Sequence, residues 1–427
     1  MLHALFQKAA KIRVALGAIA LSSLGASAFA STPPMIFEHL TRDDGLSQSN
    51  VLAITQDSDG FMWFATEDGL NRYDGYEFRH YAREQGNAES LQSGFVFDVV
   101  VASDRYLWLA TDGGGVARLD QATGDVTSFR HDAADANSLA SDRVRRVAID
   151  GSGAVWAALL EGGLDRLDPN TGEVLHVDLG LDAEQLGSLY SLYVDRKGLL
   201  WVGGNHGLSA VDTRTLKPVH FMHDPEDAGS LAEGSVRAIA QDASGNLWVG
   251  TYGGGLSKMV QGTARFAHLR SGDSETSLSD DRVTSILLDP SERLWVGTTA
   301  GLNLINTEDN SVTRVLKDAA DRYSLVDDTI SSLYADRTGL LWVGTKTRGL
   351  SRWNPSTWAL GYEPAEALTA AANESPTVTS FASSNDGRVW VGTFGDGLGV
   401  VDRATDTVQP LAVEAGTPLA ASHVMSL

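Results

Sequence analysis

The residues of this chain best suited to binding a ligand lie in short loops, which vary where the surrounding sequence repeats. The loop side chains that could recognise a ligand most directly are His206, Tyr252, Lys346 and Arg348. Because the chain as a whole is acidic, cationic groups in such loops could hold an anionic ligand, for example an acidic sugar. We therefore predict a site for a small carbohydrate-like or anionic molecule. The alternative is that these are unconstrained surface loops, which also vary.

No other arrangement of reactive residues stands out. The sequence shows no order of serine, histidine and aspartate typical of a catalytic triad, no metal-ligand spacing and no paired acids. It contains no cysteine, which excludes disulfides, zinc-thiolate sites and thiol catalysis. We therefore predict no catalytic residue, no metal ligand, no cofactor and no enzymatic activity within this chain.

The candidate loops follow copies of one short motif, Trp-Val-Gly-Thr or a variant of it. The tryptophans of its eight copies are 45 to 48 residues apart, which is a structural period. They are Trp63, Trp108, Trp156, Trp201, Trp248, Trp295, Trp342 and Trp390. Each period holds an apolar run, a tight turn, the tryptophan strand, a glycine turn and a further short segment. Four short strands fill about 45 residues, so each period predicts one four-stranded blade of an all-β propeller.

The motif strand is expected to be buried on both faces. Along residues 247–251, Trp248 and Gly250 share one face, and the residues of the other face are also apolar or small. Such strands occur where sheets stack, and the glycine lets a large neighbour approach closely. We therefore assign the motif tryptophans to packing. The aspartates before the preceding turn, such as Asp242, are predicted to bind the turn backbone rather than calcium.

A strand without a blade precedes the first period. Several outermost strands carry a Phe-x-His pattern, which also occurs at Phe37-Glu38-His39 before any other strand. We predict that residues 35–40 pair with the blade containing Trp342 and close a seven-bladed ring over residues 35–356. Residues 357–427 then form the first blade and the start of the next blade of a second, truncated propeller. The rival is an eight-bladed ring, in which the N-terminal strand pairs with the blade containing Trp390.

The outer-strand histidines and a cluster of three arginines are predicted to have structural roles. One Phe-x-His histidine per blade cannot converge on a single ion, so we interpret these histidines as polar residues of edge strands. The only basic cluster, Arg143, Arg145 and Arg146, is interpreted as a solvated strand end.

The charge of the chain limits its partners. The formal charge is −22, and since residues 1–30 hold three cations and no acid, the remainder carries −25. Such a chain repels phosphate backbones and anionic lipids, so we expect no nucleic-acid partner. Residues 1–30 resemble a secretory signal, with an apolar run over residues 14–24 and a cleavage site at Ala28-Phe29-Ala30. We predict export to the periplasm; an uncleaved anchor is the alternative, but its apolar part is short.

The first blade resembles the two-component regulator propeller family. The resemblance rests on Phe37-Glu38-His39-Leu40, on residues 44–47 and 50–57, and on residues 59–75 around Trp63. It covers residues 36–427 and is most specific in its first forty positions. The third and fourth blades depart from the motif, with Trp156-Ala157-Ala158-Leu159-Leu160 and with Gly204 in place of threonine.

The resemblance implies an exported bacterial sensor with two seven-bladed propellers, a sandwich domain, one membrane helix and a cytoplasmic histidine kinase or diguanylate cyclase. On that basis we expect a ligand-sensing region of a homodimeric receptor, whose output domain and membrane segment lie downstream of this chain. The alternatives are a secreted propeller enzyme, a glycan-binding module acting on carbohydrates, or a scaffold for protein partners.

Overall fold

In the computed structural model, the described part of the chain is built of short antiparallel strands joined by turns and loops. The described residues are 35–102, 105–161, 163–274, 277–355, 377–384, 388–394, 398–402 and 407–410. The predicted signal sequence and the segments 357–376 and 411–427 of the predicted second propeller lie outside them. The strands form eight four-stranded sheets. Two single-turn helices, Arg42–Asp44 and Ala183–Leu186, lie in the connections.

The first seven sheets are blades 1 to 7, and each has an inner and a second strand. The inner strands are β2 (Val51–Gln56), β6 (Val96–Val101), β10 (Val144–Ile149), β14 (Leu189–Val194), β18 (Gly234–Gln241), β22 (Val283–Leu288) and β26 (Ile330–Ala335). The second strands carry the tryptophan motif and are β3 (Met62–Thr66), β7 (Tyr106–Thr111), β11 (Val155–Leu159), β15 (Leu199–Gly204), β19 (Leu247–Gly253), β23 (Leu294–Thr298) and β27 (Leu341–Thr345).

Two further strands complete each blade. The third strands are β4 (Gly69–Tyr73), β8 (Val116–Asp120), β12 (Leu164–Leu167), β16 (Gly207–Asp212), β20 (Gly255–Met259), β24 (Gly301–Ile305) and β28 (Leu350–Trp353). The outermost strands are β5 (Phe78–Tyr81), β9 (Val126–Phe129), β13 (Val174–Val177), β17 (Pro218–Phe221), β21 (Phe266–Leu269), β25 (Val312–Val315) and, for blade 7, β1 (Phe37–Leu40). The eighth sheet contains Trp390 and consists of β29 (Thr377–Ser383), β30 (Arg388–Phe394), β31 (Leu398–Asp402) and β32 (Thr407–Pro410).

The N-terminal strand belongs to blade 7. Strand β1 runs antiparallel to β28, with Phe37 opposite Trp353 and Leu40 opposite Leu350. The predicted pairing with the blade of Trp342 is confirmed, whereas the eighth sheet consists of β29 to β32 alone. The rival pairing with the blade of Trp390 is therefore not observed.

Blades 7 and 1 also meet along their inner strands. Successive inner strands lie against each other from β2 to β26, and β26 lies against β2. Hydrogen bonds cross this junction, since the Ser332 hydroxyl donates to the carbonyl of Val51 at 2.8 Å and the Arg337 backbone N–H donates to Gln56 Oε1 at 2.9 Å. We interpret this cycle as a seven-bladed ring; the domain boundaries at residues 356 and 357 stay predictions.

The motif strand is buried on both faces, as predicted. All residues from Leu247 to Thr251 are buried, and the same holds for the five residues of β3, β11, β23 and β27. The glycine has the predicted role, because a Cβ on Gly250 would overlap with Val283 of blade 6. Stacking of neighbouring blades therefore depends on a motif position with no side chain.

The aspartate at the end of the inner strand fixes the tryptophan as well as the turn. Asp242 Oδ1 accepts from the backbone N–H of Asn246 at 2.9 Å, as predicted, and Oδ2 accepts from the indole N–H of Trp248 at 2.9 Å. The same pair recurs as Asp57–Trp63, Asp150–Trp156, Asp195–Trp201, Asp289–Trp295 and Asp336–Trp342. Blade 2 has Ala102 at this position. The constant separation of six residues was the sequence signal for the indole contact.

Candidate functional site

The seven inner strands surround a central channel, which contains a cavity of about 190 Å³ lined by residues of all seven. Each strand contributes one residue at an equivalent register position, namely Ala53, Asp98, Arg146, Ser191, Ala238, Ser285 and Ser332. Asp98 and Arg146 form an ion pair at 3.5 Å, whereas the other five side chains are small. Small residues therefore leave space where the strands come together.

Every inner strand has a β-bulge directly before this position. The pairing register shifts there, so that one extra residue is inserted into the inner strand. A bulge re-aims the inserted side chain and is common beside functional sites. The seven inserted residues, which we call the bulge residues, are Leu52, Phe97, Arg145, Tyr190, Arg237, Thr284 and Ser331.

Six bulge residues line a second cavity, the mouth cavity, of about 200 Å³. It adjoins the channel, because the two cavities share lining residues such as Arg146 and Arg237. Its other lining residues include Thr299 and Lys346, which belong to the variable loops after the motif strands, and Tyr252. The prediction that Tyr252 lies in such a loop is wrong, because the pairing of β18 with β19 continues past it and places Tyr252 opposite Ser235. The prediction that the loops line a shared mouth agrees with the positions of Thr299 and Lys346.

The structure separates the four predicted ligand residues into two pairs. Tyr252 and Lys346 line the mouth cavity, and both are exposed. His206 does not line it: the side chain is buried, and Nε2 hydrogen bonds with the hydroxyl of Ser209 at 2.8 Å. Burial and the neighbouring His220 lower the pKa of His206 to about 4, so the ring is neutral at pH 7. Arg348 is exposed, and its side chain also lies outside the lining of this cavity.

The interpretation of the basic cluster as a solvated strand end is wrong for two of its three arginines. Arg143 is exposed and pairs with Asp112 at 2.8 Å, as a solvated residue does. Arg145 and Arg146, however, lie on the inner strand and line the mouth cavity together with Arg237. The sequence signal for this site was the pair of neighbouring arginines on an inner strand of an acidic chain. The bulge at Arg145 directs these side chains into the cavity and not into solvent.

Aromatic rings, and not carboxylates, lie against Arg145 and Arg237, whereas Arg146 pairs with Asp98. The Arg237 guanidinium lies 3.5 Å from the ring centroid of Tyr190 and 5.2 Å from that of Tyr252, and Arg145 lies 4.3 Å from that of Phe97. Burial, with the nearby cations Arg146 and Arg237, lowers the pKa of Arg145 to about 9, and burial also lowers the pKa of Arg237. Both groups remain cationic at neutral pH, so the cavity is electropositive.

The histidines of the outer strands bind neighbouring polar groups of the fold. The histidines of the Phe-x-His pattern occupy two different structural positions, one within the outermost strand and one in the connection after it. In five blades a histidine faces a polar residue of the third strand: His39–Ser351, His80–Asn71, His176–Asp165, His220–Ser209 and His268–Ser257. His131 and His223 lie in the connections that follow and hydrogen bond with the carbonyls of Leu139 and Leu231, at 2.7 and 2.9 Å. In the part of the chain that the structure describes, no three potential metal ligands form a group.

A larger groove lies at blade 3. It measures about 610 Å³ and is lined by residues of blade 3 and of the connection before it, including Arg166 and Asp168. None of the predicted ligand residues lines it, and Arg166 lies 3.7 Å from Asp150. The mouth cavity is smaller, but it is the place where variable loops and bulge residues meet.

Sheets of this kind around a channel define the chain as a β-propeller, and solved propellers resemble it. The extracellular domain assigned to the hybrid two component system BT3049 of B. thetaiotaomicron is 24% identical with a TM-score of 0.67, over 89% of this chain and 49% of that chain. The extracellular domain assigned to the one component system BT4673 of the same organism is 20% identical with a TM-score of 0.61, over 90% and 48%. Virginiamycin B lyase from Staphylococcus aureus is 12% identical with a TM-score of 0.58, over 75% and 99%. At these identities the similarity shows the fold alone.

Four segments of the chain match the repeat of a known family. The model of the two component regulator propeller family matches residues 45–68, 230–253, 277–300 and 324–347. Histidine kinase P4 of Formosa agariphila is 40% identical over 73 residues, which are 17% of this chain and 5% of that protein. Four segments, in blades 1, 5, 6 and 7, therefore match two-component regulator propeller repeats, which confirms the resemblance found in the sequence. It spans about half the length of the solved extracellular domains of two-component and one-component systems that it matches.

Within the described residues, neither helix is long or apolar enough to span a membrane.

Proposed function

We propose that this chain is the extracytoplasmic ligand-sensing region of a bacterial signal-transduction receptor, of two-component or cyclic-di-GMP type, and that the mouth cavity is its ligand site. The observation that carries the proposal is the convergence of variable residues from several blades on one electropositive cavity of an acidic chain. The two-component regulator propeller repeats support the receptor assignment. The signal-like residues 1–30 support export to the periplasm.

The position of the cavity suggests how binding could be transmitted. A ligand in the mouth cavity would contact blades 3, 4, 5 and 7 through Arg145, Tyr190, Tyr252 and Lys346. A ligand shifts a conformational equilibrium only through different affinities for the two states. We propose that occupancy favours one arrangement of these blades, or of two receptor copies in a homodimer, and that an output domain beyond this chain responds to it.

Ligand binding by the purified chain tests the proposal. Neutral and acidic monosaccharides, disaccharides and small organic acids would be screened by thermal unfolding, and each hit would be titrated calorimetrically. A ligand that binds only the folded chain should stabilise it by about 2.7 kcal/mol at one hundred times its Kd. The double variant Tyr252→Ala/Lys346→Ala should lose this stabilisation. Arg348→Ala, an exposed cation outside the cavity, serves as the matched control.

Two results would contradict the proposal. Unchanged affinity in the double variant would place the site elsewhere on the chain. If mass spectrometry showed that the chain converts a bound compound into a product, the alternative of a secreted propeller enzyme would be favoured.

A further inference from the structure

The mouth cavity has the composition of an anion site. Its lining contains four cations, Arg145, Arg146, Arg237 and Lys346, and no acidic residue. Among the described residues, Arg146 has a carboxylate partner in Asp98, whereas the other three cations form no ion pair. This accumulation is unusual in a chain with a formal charge of −22. Uncompensated cations in a partly buried cavity cost free energy, which a bound anion would offset.

Two buried polar atoms in the cavity lining lack a partner among the described residues. They are Nε of Arg145, which is a donor, and Oδ1 of Asn50, which is an acceptor. The amide orientation of Asn50 is fixed by its Nδ2, which donates to Glu67 Oε1 at 2.7 Å. A buried polar atom normally finds a hydrogen-bond partner. A ligand that satisfies both atoms must offer an anionic acceptor and a donor.

The size and the walls of the cavity restrict the ligand further. Its volume of about 200 Å³ is below the roughly 300–1,000 Å³ of sites for drug-sized molecules. Tyr252, whose side chain is half-exposed, offers a flat surface at the rim beside Arg237. These features favour a compact ligand with a polar edge, of the size of one sugar ring.

We propose that the mouth cavity binds a small hydroxylated carboxylate, such as a sugar acid. Its carboxylate would accept from Arg145 and Arg237, and one of its hydroxyl groups would donate to Asn50 Oδ1. This inference rests on the ligand site of the proposed function and adds the chemical class of the ligand. A guanidinium binds the flat carboxylate with two parallel hydrogen bonds, whereas a neutral sugar would leave the cations uncompensated.

Four probes titrated into the full chain by calorimetry separate the chemical requirements. Glucuronate has both the carboxylate and the hydroxyls, glucose lacks the carboxylate, cyclohexanecarboxylate lacks the hydroxyls, and inorganic phosphate is a small anion without a ring. Glucuronate should bind at least tenfold more tightly than each of the others, because a hydrogen bond to a charged group contributes about 1.5–3 kcal/mol.

Variants assign the two contacts separately. Arg145→Gln should weaken glucuronate at least about tenfold, whereas Arg348→Gln, the exposed control, should leave it unchanged. Asn50→Ala should weaken glucuronate but not cyclohexanecarboxylate. Urea melts of the free variants report on folding, and Arg145→Gln should not destabilise the free chain because it removes an unpaired cation. Lys346→Gln removes a second cation of the cavity, at its exposed rim. It tests whether the cations contribute to glucuronate binding without changing a residue of an inner strand.

Each contrary result has its own meaning. Equal affinity for phosphate, or for cyclohexanecarboxylate, would overturn the hydroxylated-carboxylate class. Tight binding of glucose that depends on Tyr252 would overturn the carboxylate requirement but keep the mouth cavity as the sensing site. Failure of glucuronate to bind with a Kd below about 1 mM would reject the inference. The proposed function would then still stand if another compound bound at Tyr252 and Lys346.

Discussion

The residue type is constant at the motif position of the second strand and varies at the bulge position of the inner strand. The motif position holds tryptophan in every blade, and in blades 1 to 7 this tryptophan is buried. The bulge position holds six different residue types in seven blades, and six of these seven residues line the mouth cavity. Stacking requires the same side chain at each equivalent interface, whereas a small ligand in the channel needs a different group on each side. Residues that recur from blade to blade are therefore the structural residues of this ring. The position of the inner strand at which the residue type varies identifies the candidate site.

The largest effect should come from breaking the repeated position. Trp248 is fully buried and donates to Asp242, so Trp248→Ala removes a large apolar side chain and leaves the carboxylate without the indole. We expect a loss of about 3–5 kcal/mol in the free energy of unfolding. Urea melts of the variant and the parent chain measure this loss.

An exposed aromatic residue provides the control for Trp248. Tyr76 is 91% exposed, so Tyr76→Ala should change the stability by less than about 0.5 kcal/mol. Equal losses in the two variants would show that the motif tryptophan does not hold the blade interface.

A smaller effect is expected at the motif glycine. Gly250→Ala places a methyl group against Val283 and at 3.3 Å from Ile286, so blades 5 and 6 must separate slightly. Overpacking of this kind costs about 1–3 kcal/mol. Gly151→Ala is the control, because its Cβ would meet nothing within 4 Å and its φ is not positive. A melt of Gly250→Ala that matches this control would mean that the interface is loose at this position.

Repetition also explains how much the sequence could predict. The period of the tryptophans was sufficient to predict the blades, the alternation of residues 247–251 predicted the buried motif strand, and the unpaired Phe-x-His copy at residues 37–39 predicted the pairing of β1 with the blade of Trp342. The bulge residues do not recur, and a bulge breaks the alternation from which side-chain direction is inferred. Arg145 was therefore placed at a solvated strand end. His206 was selected by its loop position, and no local pattern revealed that it turns inward to Ser209.

The smallest effect concerns a polar pair of blade 3 that departs from its equivalents in the other blades. His176 Nδ1 lies 2.7 Å from Asp165 Oδ1 and Nε2 lies 3.2 Å from the carbonyl of Ala136, so both ring nitrogens face acceptors. Only the imidazolium can donate to both acceptors. The hydrogen bond to Asp165 accordingly raises the pKa of His176 above 6.5.

The sign of the resulting pH dependence follows from this raised pKa. The folded state binds the proton more tightly than the unfolded state, so the contribution is complete below pH 6.5 and is lost as the pH rises through the raised value. Because His176 is partly exposed, solvent screening should keep the effect below about 1 kcal/mol. Urea melts of the parent chain and of His176→Gln between about pH 6 and pH 9 test it, since the two chains differ only at this residue. The stability difference between the two chains should shrink with rising pH, and a difference that stays constant over this range would contradict the assigned role of the pair.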